Sequence, residues 1–277
     1  MTIQYNQLPR SDISHMDQHE LNDHKRWFAE YCRSFYTSSR EDQQNIVLKQ
    51  EHTTRVCENT VQIAHGISLD EERAILAETI ALYHDIGRFL QYQKYKTFKD
   101  SVSINHASLG ARVLIENNVL RALRRHERDI ILRSVTLHNV YSLPNGLDQE
   151  MLFFLKLVRD ADKLDILRVA IEYYGQPEGK RASAVGLGLP DVPGYSPEIL
   201  TALTSKRMIR MSALKTLNDF KLLQLIWIYD LNFASSLRIL ESRRYIEGIA
   251  AALPRSKEID SALAVLRRYV YEGQSGK

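Results

Sequence analysis

His52, the doublet His84-Asp85, His106, His138, and Asp160 with Asp162 in the string RDADKLD are the residues of this 277-residue chain best suited to hold a metal ion or move a proton. Each falls on or beside a different predicted helix. A helical bundle builds a metal site in this way, by pointing side chains from several helices into one cleft. Imidazole combined with carboxylate suits Mn, Fe, Co, Ni or Zn, whereas an oxygen-only cage would suit Ca or Mg. His84 and Asp85 stand just before Gly87, at an expected helix end, where two neighbouring residues can both turn toward one ion. Singly, a histidine on a mostly apolar helix is more often a hydrogen-bonded core residue than a ligand. His15, His19, His24 and His126 lie in polar stretches and read as solvated, and His65 reads as a capping or packing residue. The joint order of the other residues is what makes them informative.

The elements that must carry these groups are helical almost throughout, and the fold class is all-α. Trp27, Phe28, Tyr31 and Phe35 give 21–38 the spacing of an amphipathic helix. A second helix is expected over 45–67. Asp70, followed by Glu71 and Glu72, makes an N-cap and acidic first turn for a third, which should stop at Gly87. Residues 91–105 have no clear period and read as a polar, aromatic and basic loop. Helices are expected again over 106–118, 127–139 and 148–174. Five of the twelve glycines and four of the seven prolines fall in 175–197, which marks it as an irregular segment: a linker, an inserted loop or a lid. Further amphipathic helices follow over roughly 198–231, 233–253 and 256–272.

Bulk properties narrow the class further. Hydrophobic residues make up 44% of the chain and charged residues 26%, the balance of an ordinary globular protein with a real core. The net charge of +3 is small and spread along the chain, so it gives no reason to expect nucleic acid or acidic membrane as partner. Cys32 and Cys57 form no CxxC pair and read as small buried hydrophobes. There is neither a signal-peptide pattern at the N-terminus nor an apolar run of membrane-spanning length, and a cytoplasmic location is expected. The oligomeric state is left open.

The pattern H…HD…D, here His52, His84-Asp85 and Asp162, resembles the HD superfamily of metal-dependent phosphohydrolases. QEHTTRV is similar to the family's first motif, ALYHDIGRF to its second and VRDADKLDILR to its last. The resemblance implies a helical bundle with His52, His84, Asp85 and Asp162 as metal ligands; Asp160 is the second choice for the last of these. It covers about 45–170. The expected organisation is a helical segment over 1–44 packing on a core over 45–174, the irregular segment 175–197, and a C-terminal helical extension over 198–277, all in one continuous globular unit. NHASLGARVL, with His106, and SVTLHN, with His138, resemble the third and fourth motifs of members that hold two metals, in which the Asp of the HD doublet bridges the pair. Two roles for His106 and His138 stay open: ligands of a second ion, or substrate contacts and acid/base groups beside a single one. The GYP signature of cyclic-di-GMP phosphodiesterases is absent, since VYSLPNG follows Asn139.

The resemblance implies hydrolysis of a phosphate ester or anhydride, in a nucleotide-like small molecule, with one or two divalent ions (Mn, Fe, Ni, Co or Zn, with Mg also compatible). Asp85, His106 and His138 are the expected catalytic groups. In-line attack on phosphorus needs positive charge around the equatorial oxygens, for which Arg55, Arg88 and Lys163 are candidates. A solvated charge or a structural salt bridge is the other reading of Arg55 and Lys163. The aromatic and basic residues of 91–105 either cover a nucleotide or form a solvated loop with aromatic anchors. Two other functions use the same residues: a di-iron oxygenase of HD type, and a nucleotide-binding regulatory module without turnover.

Overall fold

Capping side chains start several of the helices where the sequence places them. Asp17 and Glu20 form a reciprocal capping box at the head of α1 (Gln18–Arg33). Ser39 caps α2 (Arg40–Gly66), and Asp70 accepts from the Arg73 amide to open α3 (Glu71–Tyr83). Asn105 does the same for α5 (His106–Glu116) through the Ser108 amide. Each such cap contributes about 1 kcal/mol by satisfying an amide that the helix leaves open. The computed structural model describes residues 16–177 and 185–274. Among them it is all-α, helices joined by turns with no strand. His15 and residues 178–184 of the glycine- and proline-rich segment lie outside the described residues.

The remaining helices are α4 (Gly87–Tyr95), α6 (Arg125–Leu137), α7 (Gln149–Gly175), α8 (Pro197–Thr204), α9 (Leu217–Ile226), α10 (Ala234–Ser242), α11 (Tyr245–Ala250) and α12 (Lys257–Gln274). The chain divides into two compact units at Asp162/Lys163, inside α7. The sequence reading puts core and extension in one unit, with the irregular segment between them. α7 runs unbroken from Gln149 to Gly175, with no glycine or proline before its last residue.

In the first unit α3 is the central helix. Ile75, Leu76, Ala77 and every residue from Thr79 to Tyr83 are buried, and α1, α2 and α6 pack around it. The first half of α7 is equally enclosed, with Phe153, Phe154, Leu155, Leu157 and Val158 in the core. His24 is a correction to the sequence reading: it is buried and hydrogen-bonds the Tyr83 hydroxyl through Nδ1 at 2.8 Å. A neighbouring polar stretch does not reveal which face of an amphipathic helix a histidine occupies. His19 and His126 are exposed, as expected. Cys32 and Cys57 are buried and free, and burial pushes the Cys32 thiol up to about 12.

The second unit departs further from expectation. The stretch 198–231 is not continuous helix: α8 ends at Thr204 and α9 begins only at Leu217. Buried Asp219 gathers the Ser196 amide and hydroxyl and the Lys215 and Thr216 amides, which fixes that connection. The stretch 233–253 breaks at Arg244, whose φ of 53° is left-handed. Phe233 is buried as expected of core, while Trp227 and Tyr229 are half-buried. No helix among the described residues is long and apolar enough to cross a membrane.

Candidate metal centre

Two buried side chains fasten the helices that carry the chemistry-bearing residues. Asn59 on α2 donates to the Ala161 carbonyl on α7 at 3.0 Å, which holds His52 opposite Asp162. Arg159 on α7 donates to the His138 and Val140 carbonyls at 2.9 and 2.7 Å, which fixes the chain where α6 ends. His84 and Asp85 occupy the turn between α3 and α4, and His106 is the first residue of α5.

Gly87 does not end a helix, as the sequence suggests; it begins α4. A Cβ on Gly87 would collide with the His106 carbonyl and come within 2.6 Å of the Gly110 amide nitrogen. The missing side chain therefore lets α4 and α5 meet backbone to backbone, and so brings His106 to Asp85. Gly87→Ala is expected to lower the melting temperature by several degrees, since overpacking against rigid backbone costs about 1–3 kcal/mol. A thermal melt equal to that of the wild type would contradict this account of the glycine.

Five side chains then converge around Asp85. On one side, His52 Nε2 lies 3.1 Å from Asp162 Oδ1, 3.4 Å from His84 Nε2 and 3.6 Å from Asp85 Oδ2. His84 Nε2 is 3.7 Å from Asp162 Oδ1. On the other side, His106 Nε2 lies 3.1 Å from His138 Nε2 and 3.2 Å from Asp85 Oδ1. The two carboxylate oxygens of Asp85 thus face two different groups, His52/His84 and His106/His138. The four histidines and Asp85 are buried, and Asp162 is partly open. Asp160 is fully buried.

The second ring nitrogens decide which way the lone pairs point. His84 Nδ1 faces the Ala81 carbonyl at 2.7 Å and His138 Nδ1 the Val135 carbonyl at 2.8 Å. A carbonyl only accepts, so Nδ1 carries the proton and Nε2 presents its lone pair inward. His106 Nδ1 donates to both oxygens of Asp100, at 2.7 and 2.9 Å, with the same consequence. Burial drives His84 down to about 4. Burial and the Arg88 charge do the same to His106, again to about 4. Both rings are therefore neutral near pH 7, the form that ligates metals. Burial opposes the charge on Asp85, but Lys49, Arg88 and His84 outweigh it and hold the carboxyl well below its usual range. For Asp162 burial is likewise outweighed, first by its hydrogen bond to His52.

This donor set fits divalent metal ions. Metal–nitrogen and metal–oxygen bonds of roughly 2.0–2.2 Å place ligand atoms sharing an ion roughly 3–4 Å apart. The nitrogen lone pairs of His106 and His138 face each other at 3.1 Å, an arrangement that a cation between them satisfies. The comparison with known families agrees. Residues 49–167 match the HD domain, a span that holds all six side chains. The chain carries an HD domain. No curated protein and no solved structure shows significant similarity to it. The HD domain marks a metal-dependent superfamily of phosphohydrolase type, and the buried His/Asp groups of this chain are able to hold such ions.

Two residues of the HD domain's cluster were not singled out in the sequence. Lys49, one turn before His52 on α2, reaches Asp85 Oδ2 at 2.8 Å. Asp100, in a 3-10 turn at Asp100–Val102, orients His106 and also accepts from Arg88, Gln91 and Asn139. Carboxylate–imidazole pairs of this kind fix the tautomer and direction of a metal-binding histidine. The i−3 spacing from His52 was the available signal for Lys49. Asp100 had none, because the turn that places it has no period.

The expected phosphate-binding cations are all engaged. Arg55 pairs with Glu51 on its own helix at 3.4 Å. Arg88 is held by Asp85, Asp100, Gln91 and the Phe98 carbonyl. Lys163 pairs with Asp230 at 2.8 Å within the second unit. Residues 91–105 are not one loop: α4 runs on to Tyr95, and Gln91 ties Asp100, Ser103 and Ile104 down. Tyr92 is buried with its hydroxyl on Asn45 and Asp42, so it offers no face to a ligand.

Proposed function

We propose that the chain is a metal-dependent phosphohydrolase cleaving a phosphate ester or anhydride, in a nucleotide-like small molecule. Two divalent ions would be held, one by His52, His84, Asp85 and Asp162 and the other by Asp85, His106 and His138. Asp85 would serve both through its two oxygens. The observation that carries this reading is the pair of buried His/Asp groups sharing Asp85. An ion so held supplies Lewis acidity and a water of lowered pKa. The chain's own residues do the remaining work. Asp100 and the Ala81 and Val135 carbonyls hold the imidazole protons away from the cluster, and Asp85 and Asp162 stay ionised through their cationic and imidazole neighbours. The near-complete burial of the four histidines excludes bulk water from their lone pairs.

The test is a substrate panel of phosphomonoesters, phosphoanhydrides and phosphodiesters, run on chelator-stripped protein and again after adding Mn, Fe, Co, Ni, Zn or Mg. Hydrolysis restored by one of these ions is the expected result. Protein that holds two irons, consumes O₂ and leaves every phosphate compound intact would replace this reading with the oxygenase one.

A further inference from the structure

The sequence assigns phosphate contact to Arg55, Arg88 and Lys163, yet the structure engages each with carboxylates or carbonyls of the chain. A different cation stands at the cluster. Lys49 Nζ is 2.8 Å from Asp85 Oδ2, and its side chain is 18% exposed where that of Asp85 is 5% exposed. Lys49 is thus more open to solvent than the carboxylate it pairs with. Its ammonium also sits over the Phe98 ring, 5.4 Å from the centroid, and that ring in turn packs on buried Tyr92. These contacts fix the position of the charge. Asp85 is the hydrogen-bond partner that the described residues give Lys49, while an ammonium has three donors.

We propose that Lys49 is a substrate-contacting residue whose ammonium meets a non-bridging phosphoryl oxygen above Asp85. The inference rests on the phosphohydrolase reading. Its physical basis is charge. Asp85 already faces Arg88 at 3.3 Å through its other oxygen, and in the loaded centre it also faces divalent ions. A further ammonium held in that company is unfavourable unless an anion joins it. A phosphoryl group supplies that anion and accepts the remaining N–H donors in charge-assisted bonds. The helical register agrees, because Lys49 and His52 are three residues apart on α2 and share a face. Substrate and ligands are thus approached from one side of one helix.

The test uses Lys49→Met, which keeps the aliphatic stem over Phe98 and removes the charge, with Lys49→Arg beside it. Three quantities are read on the metal-loaded full chain: metal equivalents, the affinity for inorganic phosphate by calorimetry, and kcat/KM on the best ester of the panel. Lys49→Met is expected to keep its metal, to bind phosphate at least about tenfold more weakly and to lose on the order of 10²-fold in kcat/KM. Lys49→Arg should recover part of the phosphate affinity. Unchanged phosphate affinity in Lys49→Met would overturn the proposal while leaving the phosphohydrolase reading intact. So would loss of metal together with phosphate affinity, which would make Lys49 a support for Asp85. Wild-type protein that takes up metal but neither binds phosphate nor cleaves any ester would overturn the phosphohydrolase reading itself, and the role of Lys49 with it.

Discussion

Asp85→Ala is expected to abolish metal binding at both groups and to reduce hydrolysis by at least about 10²–10³-fold, the loss typical when a group acting on the reacting centre is removed. Among the described residues, Asp85 is the member common to both His/Asp groups. Its Oδ2 lies 3.6 Å from His52 Nε2 and its Oδ1 3.2 Å from His106 Nε2, so one substitution removes a ligand atom from each. It also leaves Lys49 and Arg88 without the carboxylate between them. Leaving a buried charge uncompensated costs about 3–5 kcal/mol, so a lower melting temperature should accompany the loss. Asp85→Asn is the control for folding, because it keeps the shape and can still accept hydrogen bonds. Elemental analysis and the ester assay check both variants. An Asp85→Ala protein with its full metal content and activity would show that the centre lies elsewhere.

His106→Ala separates the two halves of the centre. His52, His84, Asp85 and Asp162 are untouched by it, whereas the other group is left with Asp85 and His138. The expected result is a loss of about one metal equivalent with the other retained. The same substitution removes the partner of Asp100, freeing that carboxylate to Arg88, Gln91 and Asn139, so the turn at 100–102 should stay in place. Unchanged stoichiometry would return His106 and His138 to the alternative open at the sequence level, pocket groups beside a single ion.

The chemistry of the centre was more legible in the sequence than its support. His52, His84, Asp85, His106, His138 and Asp162 stand out because few buried positions carry such side chains, and their order resembles the HD superfamily. Asp70 and the acidic turn after it set the start of α3 correctly, since an N-cap is a local interaction. Gly87 was misread because a glycine serves either a helix end or a close backbone approach, and only the position of His106 and Gly110 shows which. Lys49 reads as an ordinary lysine on an amphipathic helix until Asp85 is placed opposite it. Asp100 depends on a turn fixed by Gln91 and Arg88, contacts that no periodicity announces. In the second unit the breaks at 205–216 and Arg244 escaped notice for a related reason. Neither contains glycine or proline, and Lys206 and Arg244 take left-handed conformations that their residue types do not advertise.

The central claim is that Asp85 lies between two metal ions. Anomalous diffraction from crystals of the wild-type protein, collected at the absorption edge of the metal found by elemental analysis, tests it most directly. Two peaks are expected roughly 3.5–4 Å apart, one beside His52 and His84 and the other beside His106 and His138, with Asp85 between them. A metal-replete crystal with no peak at these residues would contradict the account.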